Sequence, residues 1–258
     1  MTHDISSGPT RREFIYTSGA ALAAATLINR PARAANQKLK VGLIGCGGRG
    51  TGAAHQALAA DPDTELYALG DTFADQVEKC LQSLQKGAAG DRVNVPASRQ
   101  FVGFDAYQKV IETCDVVLHG ATPHFRPLHL EATIAAGKHT FVEKPVATDP
   151  AGVRRVRAAC EAAKAKGLSV VTGLCYRYED SKRETIKRIQ GGDIGDIITM
   201  QTTYNTGTLW HKGRQPEWSD MEYQIRNWLY FDWLSGDHIA EQHIHSLDKT
   251  AWATSDVY

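Results

Sequence analysis

The chain is poor in the features that mark an unusual solvent or a covalent staple. Its 258 residues include five cysteines, Cys46, Cys80, Cys114, Cys160 and Cys175, and no two stand in a C-x-x-C pair. An odd count without that spacing indicates neither a disulfide framework nor a zinc site. The thiols read as small core residues, with Cys46 in a loop. Excess charge of one sign is also missing, since 29 basic residues face 29 acidic ones for a formal net charge of zero. No electrostatic drive toward nucleic acid or an anionic membrane follows from that balance. Internal repeats and low-complexity linkers are absent. Past the first thirty-odd residues there is no long apolar run. What is present is an ordinary globular composition, 42% hydrophobic, sufficient for a sizeable core.

The N-terminus reads as an address. Thr10-Arg11-Arg12-Glu13-Phe14-Ile15 resembles a twin-arginine export signal. The alanine-rich segment Thr17 to Ile28 is too short and too weakly apolar for a stable membrane span. Ala32-Arg33-Ala34 suits a signal peptidase, so residues 1–34 are expected to be removed after Ala34. The twin-arginine translocase would be a partner, and the mature protein would be periplasmic, with no transmembrane span. Substrates of that route cross folded, which favours a cofactor bound tightly before export.

The chemistry starts at Lys38 to Gly52, KLKVGLIGCGGRGTG. An apolar run, Val41 to Ile44, enters Gly45-Cys46-Gly47-Gly48-Arg49-Gly50, with the spacing G-x-G-x-x-G, and a helix is expected from about Thr51 to Ala60. Strand, glycines and helix in that order are the context of a dinucleotide fingerprint. Gly45 permits the tight turn, Gly47 lets backbone amides approach a pyrophosphate, and Gly50 lets the helix pack on the strand. The helix dipole then favours phosphate at its N-terminus. A second strand, Glu65 to Leu69, leads through Gly70 to Asp71, where the ribose-binding acid is expected. The plainer alternative is that Asp71 caps a turn. A carboxylate there favours NAD over NADP, with Arg49 able to offset a 2′-phosphate.

Strands and helices then alternate. Helices are expected over about 75–86, 105–112, 127–136 and 150–166. Strands are expected over 115–119, 140–142 and 168–172, with an irregular polar stretch over 91–100. That alternation calls for a doubly wound parallel sheet with helices on both faces. After Gly173 the character changes: a helix over 179–190, an alternating strand over Ile197 to Tyr204, and an aromatic-rich stretch from Thr208 to Asp232 suited either to sugar faces or to core. A final helix is expected over 236–253.

Four elements in order, the glycine fingerprint, Ala121-Thr122-Pro123, the stretch 136–145 ending in Glu143-Lys144-Pro145, and His245-Ser246-Leu247-Asp248, resemble the Gfo/Idh/MocA oxidoreductases. The resemblance runs from Lys38 to the last residue. It implies a Rossmann domain, here 35–172, followed by an α+β open-sheet substrate and oligomerisation domain, of which 173–258 would be an incomplete part. The full-length parent would be a homo-oligomer, and this chain is expected to be C-terminally truncated.

The implied reaction is hydride transfer between a nicotinamide and the hydroxyl-bearing carbon of a sugar, polyol or glycoside. By match to the family, Lys144 reaches the substrate oxygen, His245 shuttles the proton, and Glu241, where the family usually has Asp, orients His245 or the substrate. Gly45, Gly47, Gly48, Arg49, Gly50, Asp71, Thr122, Pro123, Glu143 and Lys144 would hold the cofactor. Arg177 is a cofactor-side or substrate-side cation, or a surface Arg. On a continuous helix Asp237, Glu241, His245 and Asp248 share one polar stripe. His238 and His243 sit about 140° apart and cannot share a face with His245, so no metal site is expected, with Glu241 and His245 as two ligands the alternative. The alternatives are a redox-assisted glycosidase that uses bound NAD transiently, and a nucleotide-binding module without activity.

Overall fold

Every second residue of the first strand faces the opposite side of the sheet, so its apolar run must be covered twice. In the computed structural model, which describes residues 38–255, this is what β1 (Leu39–Ile44) does. Leu43 joins one core with Leu58, Leu66, Leu69, Val77 and Leu84, while Ile44 joins another with Ala68, Val110, Ile111 and Val117. The first core is supplied by α1 (Gly48–Ala60), β2 (Thr64–Asp71) and α2 (Ala74–Gln85). The second is supplied by α3 (Ala106–Thr113) and β4 (Val116–His119) on the other face. Leu43 is fully buried, and its truncation to Ala would cost about 2–5 kcal/mol.

The chain continues through α4 (Arg126–Ala135), β5 (His139–Val142), α5 (Pro150–Ala165) and β6 (Val170–Thr172). A short strand, β3 (Gln100–Val102), pairs with the end of β2. The six strands form one parallel sheet in the order β3-β2-β1-β4-β5-β6, the doubly wound Rossmann arrangement. A third core, Leu130, Ile134, Val142, Val156 and Ala163, joins α4 and α5 to β5. The expected elements lie within a few residues of the observed ones. The stretch expected to be irregular ends in β3, preceded by two short turns of tight helix.

Two expectations are corrected after Gly173. Ile197 to Tyr204 forms no strand; Ile198 is 89% exposed. Its alternation has no neighbouring strand among the described residues, so there is no ladder for it to join. The last helix is also interrupted. After α6 (Asp180–Gln190), α7 (Asp220–Arg226) and the short α8 (Asp232–Ser235), Gly236 adopts φ 77° and closes α8. Asp237 is left-handed as well, with φ 63°. A π-helical turn, Ile239–His243, then leads into α9 (Ile244–Ala253). Asp237 opens the helical run, its carboxylate accepting the His238 N–H. The π-helical turn after it breaks the steps of three and four on which the stripe from Asp237 to Asp248 was counted. The chain from Leu39 onward forms one compact unit. The expected twin-arginine signal and the expected cleavage after Ala34 lie outside the described residues.

Candidate active site

β1 delivers the chain into a turn that only glycine can make. Gly45 has φ +93° and donates its N–H to the Gly70 carbonyl at 2.8 Å. A Cβ on it would lie 2.2 Å from the Ala121 nitrogen. Gly50 is held as tightly, since a Cβ there would meet the Gly45 oxygen at 1.9 Å. Gly47 and Gly48 are different: a Cβ on either would enter open space. Gly47 is the N-cap of α1, no side chain caps that end, and its first turn holds no acid. The N-terminus of a 13-residue helix thus faces an open cradle with its amides uncovered, which fits a dinucleotide pyrophosphate.

Asp71 lies at this loop. Its carboxylate accepts the Cys46 N–H at 2.7 Å and the Phe73 N–H at 2.9 Å. Burial raises its pKa, and those two bonds oppose the rise. Each oxygen retains a lone pair for a ribose hydroxyl. The turn-capping role is therefore real and sits beside the loop that a nucleotide would occupy. Gly45, Gly47, Asp71 and Thr122 line one cleft, whose free space with its open mouth is about 820 Å³. Phe104, Tyr107, Phe125 and His129 line it too, as do Lys212, Arg226 and Trp228 from beyond the sheet. None of these last seven was singled out from sequence.

At the end of β5 the two charged residues diverge. Glu143, 6% exposed, pairs with Arg49 Nε of α1 at 2.9 Å. Gly173 makes room for it, because a Cβ there would lie 2.4 Å from Glu143 Oε2. Lys144 turns toward the π-helical turn instead, and its Nζ donates to Glu241 Oε1 at 2.7 Å and to the Glu241 carbonyl. Both partners are mostly buried. His245 follows one helical turn after Glu241, against Tyr176 at 5.2 Å and Tyr204 at 6.2 Å between ring centroids. Its Nδ1 is buried and has no partner among the described residues. Burial pushes the imidazole pKa down, Lys144 pushes the same way, and Glu241 opposes. Lys144, Glu241 and His245, 101 residues apart in sequence at the extremes, are brought together.

Arg177 follows Tyr176, whose ring packs on His245. Its guanidinium pairs with Asp248 on α9 at 2.9 Å and sits over Trp252. Pro123 is buried at the turn after Thr122. Arg126, 4% exposed, donates to the Pro145 carbonyl. Burial lowers its pKa to about 10, against the opposing pull of Glu143 and Glu241, so it stays cationic at neutral pH. It supplies a buried positive charge near two buried carboxylates. Among the described residues no group of three or more His, Cys, Asp or Glu is placed to share a metal ion, and no helix is long and apolar enough to cross a membrane.

The chain resembles known proteins along most of its described length. Inositol 2-dehydrogenase of Cereibacter sphaeroides is 32% identical over 224 residues, 85% of this chain and 55% of the relative. The crystal structure of myo-inositol 2-dehydrogenase from Lactobacillus plantarum superposes with a TM-score of 0.59 at 23% identity, covering 85% of this chain and 57% of that one. Scyllo-inositol dehydrogenase from Lactobacillus casei, solved with NAD(H) and scyllo-inositol, gives 0.57 at 19% identity, covering 85% and 57%. At those identities the two structures show a shared fold. The chain spans about half the length of the curated relatives it matches. Residues 39–172 match the profile of the Gfo/Idh/MocA oxidoreductases, described by an NAD-binding Rossmann fold. The chain belongs to that oxidoreductase family.

Proposed function

We propose that this protein is an NAD(P)-dependent oxidoreductase acting on a hydroxyl-bearing carbon of a polyol or sugar, with cyclic polyols such as inositol as the leading class. The observation that carries the reading is the convergence of Lys144, Glu241 and His245, with Glu143, the residue before Lys144, paired to Arg49 of the glycine loop. The amides at the start of α1 would hold the pyrophosphate, Asp71 the adenosine ribose, and Thr122 and Pro123 the nicotinamide ribose side. A bound nicotinamide supplies hydride exchange. The protein manages orientation and the proton. Lys144 Nζ hydrogen-bonds the reacting oxygen and stabilises negative charge developing on it. His245, kept neutral by burial and Lys144, accepts the hydroxyl proton. Glu241 sets the position of Lys144 and opposes the fall in the His245 pKa. Arg177 serves the site by fixing α9 through Asp248. Residues from 173 onward would form the substrate side and residues 35–172 the nucleotide side.

Asp71 favours NAD, because a carboxylate accepts from a ribose 2′-hydroxyl and repels a 2′-phosphate. Export through the twin-arginine route to the periplasm, with the nucleotide tightly bound, rests on Arg11-Arg12 and the alanine-rich segment after them. Cell fractionation of the wild type and of a chain carrying Arg11→Lys and Arg12→Lys tests that route. The activity is tested by incubating the purified chain with NAD and, in turn, myo-inositol, scyllo-inositol, glucose and a chromogenic glycoside. Net reduced nicotinamide with a polyol or sugar supports the reading. Aglycone release without net reduction would replace it with a redox-assisted glycosidase, and nucleotide binding without any turnover with a binding module.

A further inference from the structure

The aromatic-rich stretch after Thr208 neither points away from the sheet nor simply fills core. Lys212, Ile225, Arg226 and Trp228 line the same cleft as Gly45, Gly47 and Asp71. Two sets of contacts hold the stretch there. Asn227, fully buried, accepts the Lys212 N–H at 2.8 Å and donates to the Lys212 carbonyl at 3.1 Å, which closes residues 212–227 into a loop. Arg226, at the end of α7, reaches across to α2, 151 residues earlier. Its two terminal nitrogens meet the two oxygens of Asp75 at 2.9 and 3.3 Å, and its Nε meets Glu222 at 2.9 Å. The guanidinium lies 3.9 Å from the Phe73 ring centre and 4.9 Å from that of Trp218. Its side chain is 12% exposed.

The place of that contact matters as much as its geometry. Phe73 and Asp75 follow Asp71 directly, and the Phe73 N–H is one of the two amides that orient the Asp71 carboxylate. Arg226 therefore fastens a distant segment to the tip of β2, where an adenosine ribose would sit. An exposed single ion pair contributes little. A forked guanidinium–carboxylate pair with two aromatic rings packed against it is a different object. We infer that residues 212–228 form a strap over the adenosine side of the dinucleotide cleft. The forked Arg226–Asp75 pair is its latch and sets how fast the nucleotide leaves. The inference rests on the dinucleotide reading of the cleft above.

The test uses the full chain. NAD association and dissociation are followed by stopped-flow tryptophan fluorescence for the wild type, Arg226→Met, Asp75→Asn and the double variant, each checked for fold by circular dichroism. Loss of the latch is expected to speed dissociation about tenfold in each single variant, to leave association little changed, and to make the double variant no faster than either single one. Dissociation at the wild-type rate in folded Arg226→Met or Asp75→Asn would overturn the latch. A second measurement needs no variant. Lys212 and Arg214 are exposed, so trypsin cleavage at these residues should slow when NAD saturates the wild type. Cleavage unaffected by bound NAD would overturn the strap while leaving the cleft reading standing. A wild type that binds no NAD removes both readings together.

Discussion

Lys144 holds an ammonium between a carboxylate and a backbone carbonyl of the same residue, Glu241. That grip orients the charge, and the charge acts in turn on His245. The signs can be read separately. Lys144 lowers the imidazole pKa, so Lys144→Met should move it back up toward the ordinary value of about 6.5. Glu241 raises it, so Glu241→Gln should move it further down. An NMR titration of the His245 ring in the two variants checks both directions without depending on turnover. Turnover of a polyol by Lys144→Met should fall roughly 10²–10⁴-fold. The glycine loop was legible in the sequence because its signal is local, a spacing within six residues after a strand, whereas Lys144 was singled out only through the resemblance of Glu143-Lys144-Pro145 to the family. Lys212 and Arg226 were not legible, because each acquires its meaning only through tertiary approach. Nothing near Arg226 in sequence announces a partner on α2.

Among the elements, the start of α1 separates two uses of glycine. Gly50 is needed by the fold, and Gly47 by the empty space in front of the helix. Gly50→Ala should lower stability by about 1–3 kcal/mol or more, since a Cβ 1.9 Å from a backbone oxygen forces the strand and helix apart. Gly47→Ala adopts its observed φ of −69° without strain, so thermal unfolding should be unchanged while NAD affinity falls. Equal losses of stability in the two would contradict the division. The parallel sheet itself was readable, because its strands are short apolar runs closed by glycines or acids. The π-helical turn was not. Counting residues in steps of three and four assumes an α-helix throughout, and nothing in Ile239–His243 signals a wider turn. The expected strand over 197–204 failed for a related reason, since alternation describes a strand only when another strand lies beside it.

Over the whole molecule, the least obvious constraint is a pair of buried histidines, one of which, His129, lines the cleft. His119 is fully buried with Nε2 3.1 Å from the Thr133 hydroxyl, and His129 stacks on Tyr107 at 4.3 Å. Burial holds His119 well below its ordinary pKa and, with Arg126, brings His129 down to about 4. The unfolded chain would protonate them near 6.5. Between that value and about 4 the unfolded state binds protons that the folded state refuses, so stability falls as pH drops through this window. For His129 the loss approaches about 3 kcal/mol. Urea unfolding from pH 7 to pH 4 should show the decline, and His129→Gln should flatten it. The Asp75 carboxyl works lower: burial would raise it, but the hydrogen bonds from Arg226 and Lys79 prevail and hold it below the usual range. Its contribution is retained until the pH drops below the ordinary carboxylate value.

The Arg49–Glu143 bridge joins the helix of the glycine loop to the residue preceding Lys144. With nucleotide and polyol bound as proposed, a mechanical tie of this kind would make the two report on each other. Whatever factor the first ligand applies to the affinity of the second, the second must return to the first. Calorimetry of each ligand with and without the other would give two ratios of one size, and Arg49→Ala should bring both toward unity.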